Sequence, residues 1–319
     1  MRFGYHLASF VVPDSEESAF EATMRLARRL DRRGFEWLST MDHLWQLPFV
    51  GRRDEPYFDA YTTLPAIARE TSSVDVGALV TPPHYRNPAM LGRQLTTLDH
   101  ASEGRAVFGA GAGWFEEEYR AYGFEYPDPE TRVRQLRDTV ELVRAMWEKE
   151  SPLTYETPTH SVEDLYLEPK PVQSGGPDVL IGGGGEDLLL KAVADLADRW
   201  NVPGVDPSTF EQKLDILADY CDRFGSDYGA IEKTVLQTAV IREDRDAAHE
   251  RYEHLQHRTE AGDPTPRDEH RGLVGTPDEA IETVERFVEA GADMLMVRAE
   301  RNDPATIEAL LEEVLPAFS

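Results

Sequence analysis

The sequence predicts an α/β fold, a parallel (β/α)8 TIM barrel with insertions at the C-terminal loops. Short apolar runs alternate with longer amphipathic runs almost from end to end, about eight of each. The 319 residues exceed the roughly 250 such a barrel needs, which leaves the remainder for loops. A two-domain dinucleotide-binding architecture is the rival. No internal repeat or low-complexity linker divides the chain, so residues 1–319 are expected to form one domain.

Taken in order, residues 3–7 read as the first strand. A helix over 15–30 follows, with Asp14 or Ser15 as its cap and Gly34 as its stop. Strand 35–40, helix 59–69, strand 74–80, helix 88–98 and strand 105–109 come next; Pro88 suits a first helical turn. The charged segment 115–122 precedes a helix over 132–147, whose Val133, Leu136, Val140, Val143 and Met146 share one face that must be buried. Residues 153–167, interrupted by Pro158, read as a hairpin. Strand 179–181 runs into four glycines and a helix over 187–196. Strand 199–202, helix 210–224, strand 234–241, helix 276–289, strand 294–297 and helix 305–315 complete the pattern. Insertions are expected near 44–58, 114–131, 151–176 and 243–275, the last very polar around Asp263, Pro264, Thr265 and Pro266.

Charge excludes whole classes of partner. Sixty Asp and Glu against 33 Lys and Arg leave a net charge of −27, and only five of the bases are Lys. Binding to nucleic acid rests on clustered positive charge, and anionic membranes repel such a chain, so neither is expected as a partner. A small-molecule substrate and other subunits remain. Cys221, the single cysteine, cannot form an intrachain disulfide; it lies in a helical run and reads as an inert thiol. The N-terminus has no apolar signal segment, and no run of about 18 apolar residues occurs, so a cytoplasmic location is expected. Excess carboxylate with few Lys fits a halophile.

In a parallel barrel the reacting groups sit where strands end. The second strand ends in Asp42-His43, the third in Gly77-Ala78-Leu79-Val80-Thr81-Pro82, the fourth in Gly109-Ala110-Gly111-Ala112-Gly113-Trp114, and the fifth in Gly182-Gly183-Gly184-Gly185-Glu186. Four glycines between a strand and a helix let backbone approach a ligand, and helix N-terminal amides attract phosphate; a plain flexible turn is the alternative. Gly109, Gly111 and Gly113 fail as a dinucleotide fingerprint, because Trp114 takes the sixth place and no ribose-binding acid follows. They still permit a flat ring to rest on bare backbone. His43 suits proton transfer and Asp42 can orient it, although an Asp-His pair is as often a loop cap. His249, His254 and His257 have helical spacing but read as a solvated face rather than a metal site. Metalloprotease, serine-hydrolase and P-loop motifs are absent.

These strand ends together resemble the bacterial-luciferase-like family of flavin-dependent monooxygenases and coenzyme F420-dependent oxidoreductases. The resemblance runs in order through 40–44, 77–82, 85–89, 98–105, 109–118, 169–171, 181–185 and 274–277. It implies a (β/α)8 barrel, commonly a homodimer, with the cofactor ring at the C-terminal mouth. It implies His43 as the ring-contacting catalytic residue, Asp42 and Thr81 near the polar edge of the coenzyme, Gly184 and Gly185 at its phosphate, and a polar contact from Glu117. A non-prolyl cis peptide backing the ring is implied at Ala78-Leu79, with Gly111 and Gly113 also in contact. Where the family's sugar-phosphate dehydrogenases carry a catalytic Glu, this chain has Trp114, and their Trp beyond the His is out of register because Trp45 comes too early; both Trp are placed in the pocket of a different substrate, with ordinary loop packing the alternative for Trp114. Glu116, Glu117 and Glu118 offer an acid, but a charge run is usually a solvated helix face.

The expected activity is hydride transfer between the deazaflavin C5 of F420 and an organic substrate, with His43 handling the proton. An FMN-dependent monooxygenase of the same family and a non-catalytic flavin- or deazaflavin-binding protein are the alternatives.

Overall fold

The computed structural model describes residues 1–12, 16–260 and 265–318. Eight strands form the barrel: β1 (Arg2–Leu7), β2 (Trp37–Thr40), β3 (Asp75–Ala78), β4 (Ala106–Gly111), β5 (Asp178–Gly182), β6 (Arg199–Pro203), β7 (Glu232–Ile241) and β8 (Met294–Ala299). Each pairs in parallel with the next, and β8 returns to β1 in the register Arg2↔Met294 to Tyr5↔Val297, which closes the sheet. The connecting helices are α1 (Ala19–Arg32), α2 (Ala60–Glu70), α3 (Pro88–Ser102), α4 (Glu116–Tyr122), α5 (Pro129–Glu148), α6 (Leu189–Leu196), α7 (Pro207–Phe224), α8 (Arg245–Gln256), α9 (Pro277–Glu289) and α10 (Pro304–Ala309).

Local chemistry explains where these helices begin. Asp59, Asn87, Asp128 and Asp206 each accept from amides of the first turn that follows, and Pro88, Pro129 and Pro207 open their helices. The cap expected at Asp14 or Ser15 lies outside the described residues; Ser18 caps α1. The apolar face of α5 is buried as expected, and so is Cys221. Residues 153–167 do form a hairpin, with antiparallel strands Leu153–Glu156 and Ser161–Leu165. The described residues of the polar insertion 243–275 include regular secondary structure. The insertion carries α8 and a short strand, Leu273–Gly275, that pairs with the end of β7; Asp263 and Pro264 lie outside the described residues. In it His249 Nδ1 approaches His270 Nδ1 at 2.7 Å. Among the described residues no group of three or more His, Cys, Asp and Glu could hold a metal, and no helix is long and apolar enough to cross a membrane.

The barrel interior is packed by Trp37, Leu79, Val107, Leu180, Met294 and Met296. Above this layer β3 departs from regular pairing. Pairing with β2 ends at Thr40↔Ala78, and β3 rejoins β4 only through Thr81, whose N–H donates to Gly109 and whose carbonyl accepts from Gly111. The two residues between form a bulge, and the non-prolyl cis bond is Leu79-Val80, one peptide beyond the expected Ala78-Leu79, because Ala78 still belongs to the ladder. Glycine is required beside it. A Cβ at Gly109 would lie 1.8 Å from the Ala78 carbonyl oxygen, one at Gly111 2.4 Å and one at Gly182 2.7 Å from Val80 methyls. Part of the glycine pattern therefore serves the barrel's own packing.

Candidate active site

The strand ends converge on a cavity of about 740 Å3 at the C-terminal face, within the range of small-molecule sites. Asp42, His43, Leu79, Gly111, Gly113, Trp114 and Gly185 all line it. The turns after β4 and β5 thus lie at one end of the barrel, tied side by side by the Gly111↔Gly182 pair.

His43 owes its orientation to a residue 75 positions away in sequence. Glu118, on α4, is fully buried and accepts from His43 Nδ1 at 2.7 Å, Tyr85 Oη at 2.7 Å and the Leu44 amide at 2.8 Å. Burial alone would raise its carboxyl; the bonds from His43, Leu44 and Tyr85 outweigh that and hold it below the ordinary value. The carboxylate stays ionised at neutral pH and engages Nδ1, leaving Nε2 as the imidazole nitrogen available to a ligand. The Trp114 indole meets the His43 ring edge-on, with centroids 5.9 Å apart.

Asp42 is held by Arg86, whose Nη2 donates to it at 2.9 Å and to Asp59 at 2.7 Å while the guanidinium lies over Tyr61. Tyr61 in turn bonds Thr81 at 2.9 Å. Deeper in the cavity stand His6, Asn201, Thr238 and Arg298. His6 bonds Ser39 at 2.9 Å; burial first, then the charges of Arg298 and His43, push it down to about 3, so it is neutral at physiological pH. Arg298 donates to Thr238 at 2.8 Å and to the buried Glu300 at 3.0 Å.

Several expected contacts lie elsewhere. Glu117 is exposed and pairs with Arg53 at 2.7 Å, because α4 turns only the third of its consecutive acids inward. Trp45 lies outside the cavity lining, against Phe115 and Tyr122. Ala78 and Thr81 are buried behind the bulge, and the Gly184 carbonyl accepts from Lys213 at 2.9 Å. Sequence reasoning named Glu118 only as one of three acids that a solvated helix face would explain, and passed over His6, Arg298 and Arg132. Arg132 alone carried a signal: it sits four residues before Leu136 on the apolar stripe of α5.

Comparisons with known proteins agree with this architecture. A structure of the coenzyme F420-dependent tetrahydromethanopterin reductase of Methanopyrus kandleri superposes with a TM-score of 0.80 at 20% identity, covering 100% of this chain and 99% of that one, a likeness of fold. An uncharacterized protein of Mycobacterium tuberculosis is 33% identical over 142 residues, 44% of this chain; the match spans about half the length of that relative, 49%. An F420-dependent glucose-6-phosphate dehydrogenase of Amycolatopsis mediterranei is 28% identical over 291 residues, 81% of this chain and 83% of that one. An FMNH2-dependent dimethylsulfone monooxygenase of Pseudomonas putida is 27% identical over 176 residues, 55% of this chain and 45% of that one. The family profile of the luciferase-like monooxygenases matches residues 1–294, and the chain belongs to that family.

Proposed function

We propose that this protein is an F420-dependent oxidoreductase that moves a hydride between the deazaflavin C5 and a small organic substrate. The observation that carries the reading is the His43–Glu118 pair, which presents one imidazole nitrogen to an apolar cavity floored by the Leu79-Val80 bulge. Similarity to the F420-dependent dehydrogenase over four-fifths of the chain supports the choice of cofactor.

The residues present fit such a group. Bare backbone at Gly111 and Gly113 and the Leu79-Val80 bulge would hold a flat ring, and the turn at Gly185, on the same cavity wall, would face an anionic tail. When bound, the deazaflavin supplies the hydride carrier. The chain supplies position, exclusion of water and the proton. Neutral His43 accepts a proton at Nε2 from a substrate hydroxyl, or the imidazolium returns one to a carbonyl oxygen, while Glu118 holds Nδ1–H and stabilises the cation. Glu118 is a positioning residue.

The test is F420 reduction or oxidation across a panel of alcohols, ketones and quinones at high salt. His43→Ala should lower kcat about a hundredfold or more without weakening F420 binding, with partial rescue by added imidazole. Glu118→Gln keeps one acceptor oxygen; it should cost about tenfold in kcat at unchanged KM and unchanged F420 affinity, a split that a merely structural role would not give. Unchanged turnover in His43→Ala removes the assignment. The half-chain similarity to an FMNH2-dependent monooxygenase favours a second reading, which oxygen consumption with reduced FMN would install in its place. A homodimer and a high-salt habitat belong to the same proposal: light scattering should report twice the chain mass, and dilute buffer should weaken folding through unscreened repulsion.

A further inference from the structure

The floor of the cavity is divided. Toward β3, β4 and β5 it presents Leu79, Val80, Gly111 and Gly182; toward β6, β7, β8 and β1 it presents Asn201, Thr238, Arg298 and His6. Strand periodicity puts the second set there. Met294 and Met296 fill the barrel interior, so Arg298, two residues on, faces the same way. Thr238 follows Leu236, which packs on that interior layer, and His6 follows Gly4, where a Cβ would strike the Met296 thioether. A polar layer thus lies directly on an apolar one, over half of the barrel. His6 is neutral, which leaves Arg298 as the one charge among these four side chains.

Arg298 is incompletely bonded. Its Nη2 donates to Thr238 at 2.8 Å and to Glu300 at 3.0 Å, whereas Nη1 has no partner among the described residues and Nε is buried with none. Glu300 is served as poorly. It is 2% exposed, its side chain accepts from Arg298 alone among the described residues, and its Oε1 is buried without a partner. Other buried acids are better filled: Asp303 accepts from Arg242, Arg251 and Thr306, and Asp99 from two amides and the Gln173 side chain. At Glu300 burial outweighs the charges of Arg298 and Arg301 and raises the carboxyl above its ordinary value. A desolvated ion pair with unbonded atoms on both partners recovers little of its desolvation cost. A second carboxylate reaching Nη1 from the cavity would complete the guanidinium.

We propose that Arg298 is a specificity-determining residue that receives the carboxylate of a small organic acid, whose apolar body extends past Phe49 and Trp114 toward the mouth. The proposal rests on the functional reading above in taking that acid to be the substrate. Quenching of tryptophan fluorescence and thermal shift of the purified full chain, at constant ionic strength, compare 4-phenylbutyrate with 4-phenylbutyramide, which match in size and differ in charge. Wild type should bind the acid about tenfold or more tighter than the amide. Glu300→Gln removes the competing carboxylate but keeps an acceptor for Arg298, and should widen that ratio about threefold. Arg298→Met combined with Glu300→Gln removes both buried charges, strands neither, and should abolish the ratio; Arg298→Lys should retain part of it. No preference in wild type, or a preference that survives in the double variant, overturns the proposal. Saturating F420 separates the two readings. Binding of the acid alongside F420 supports its place as substrate, whereas competition gives the subsite to the cofactor and overturns the proposal. If F420 does not bind, the cofactor reading fails on its own and the acid-to-amide ratio still decides the role of Arg298.

Discussion

At the N-terminal ends of the strands, Arg199 is enclosed by Asp75 at 2.9 Å, Asp178 at 2.8 Å and Glu232 at 3.3 Å, and Arg2 closes on Glu232 from β1. At the C-terminal ends, Arg132 has an aromatic ring and one carbonyl, and large apolar side chains stand open to solvent. One barrel thus finishes its interior in two ways. The lower end satisfies its charges within the chain and needs no ligand; the upper end leaves a cation and an apolar wall incomplete. In parallel barrels that asymmetry separates stability from chemistry, and here it is drawn in the pairing of individual arginines.

The comparison is broken most directly by removing one arginine from each end. Arg199→Met strands Asp75 and Asp178 and leaves Glu232 to Arg2 alone, and should cost about 3 kcal/mol in urea unfolding at neutral pH. Arg132→Met removes a charge that forms no ion pair among the described residues and should change stability by less than about 1 kcal/mol in either direction. Equal losses at both sites would mean that the upper end is as self-sufficient as the lower one.

How much of this was legible in the sequence depends on whether a signal was local. Apolar runs such as Val179-Leu180-Ile181 and Met294 to Val297 marked strands because both faces of a parallel barrel strand are buried. The fourth strand was read short, to Gly109, because Gly-Ala repeats carry no strand propensity; its extension to Gly111 is set by pairing with Gly182. His43 and the glycine turns were visible because they sit on strand ends. Glu118 was not, since three consecutive acids are equivalent in sequence and only packing of α4 against His43 and Tyr85 selects one. His6 was hidden for a similar reason: a strand buried on both sides shows no alternation to flag an inward histidine.

That histidine sharpens the contrast by pH. Because His6 is pushed from 6.5 down to about 3, the unfolded chain binds a proton there that the folded chain refuses. Its contribution is complete above pH 6.5 and is lost as pH falls toward 3. Between pH 7 and pH 5 the group should remove about 2 kcal/mol of stability. His6→Gln, which keeps a polar group for Ser39 but cannot titrate, should flatten that part of the stability profile by the same amount. An unchanged profile would mean that the upper end admits added positive charge as readily as water does.

The smallest expected effect concerns the open apolar wall. Phe49 and Trp114 line the cavity yet are 45% and 54% exposed, with centroids 6.0 Å apart. Exposed side chains contribute little to folding, so Trp114→Ala and Phe49→Ala should leave urea midpoints nearly unchanged. A ligand that covers them gains what the chain does not, about 1 kcal/mol for each ring, which appears as a fivefold rise in KM at constant kcat. That split separates two roles for Trp114. Loss confined to KM makes the indole a wall that holds substrate equally in ground and transition states. Loss of kcat instead would mean that its edge contact sets the angle of the His43 ring, and Trp114 would join Glu118 among the positioning residues, leaving Phe49 alone as wall.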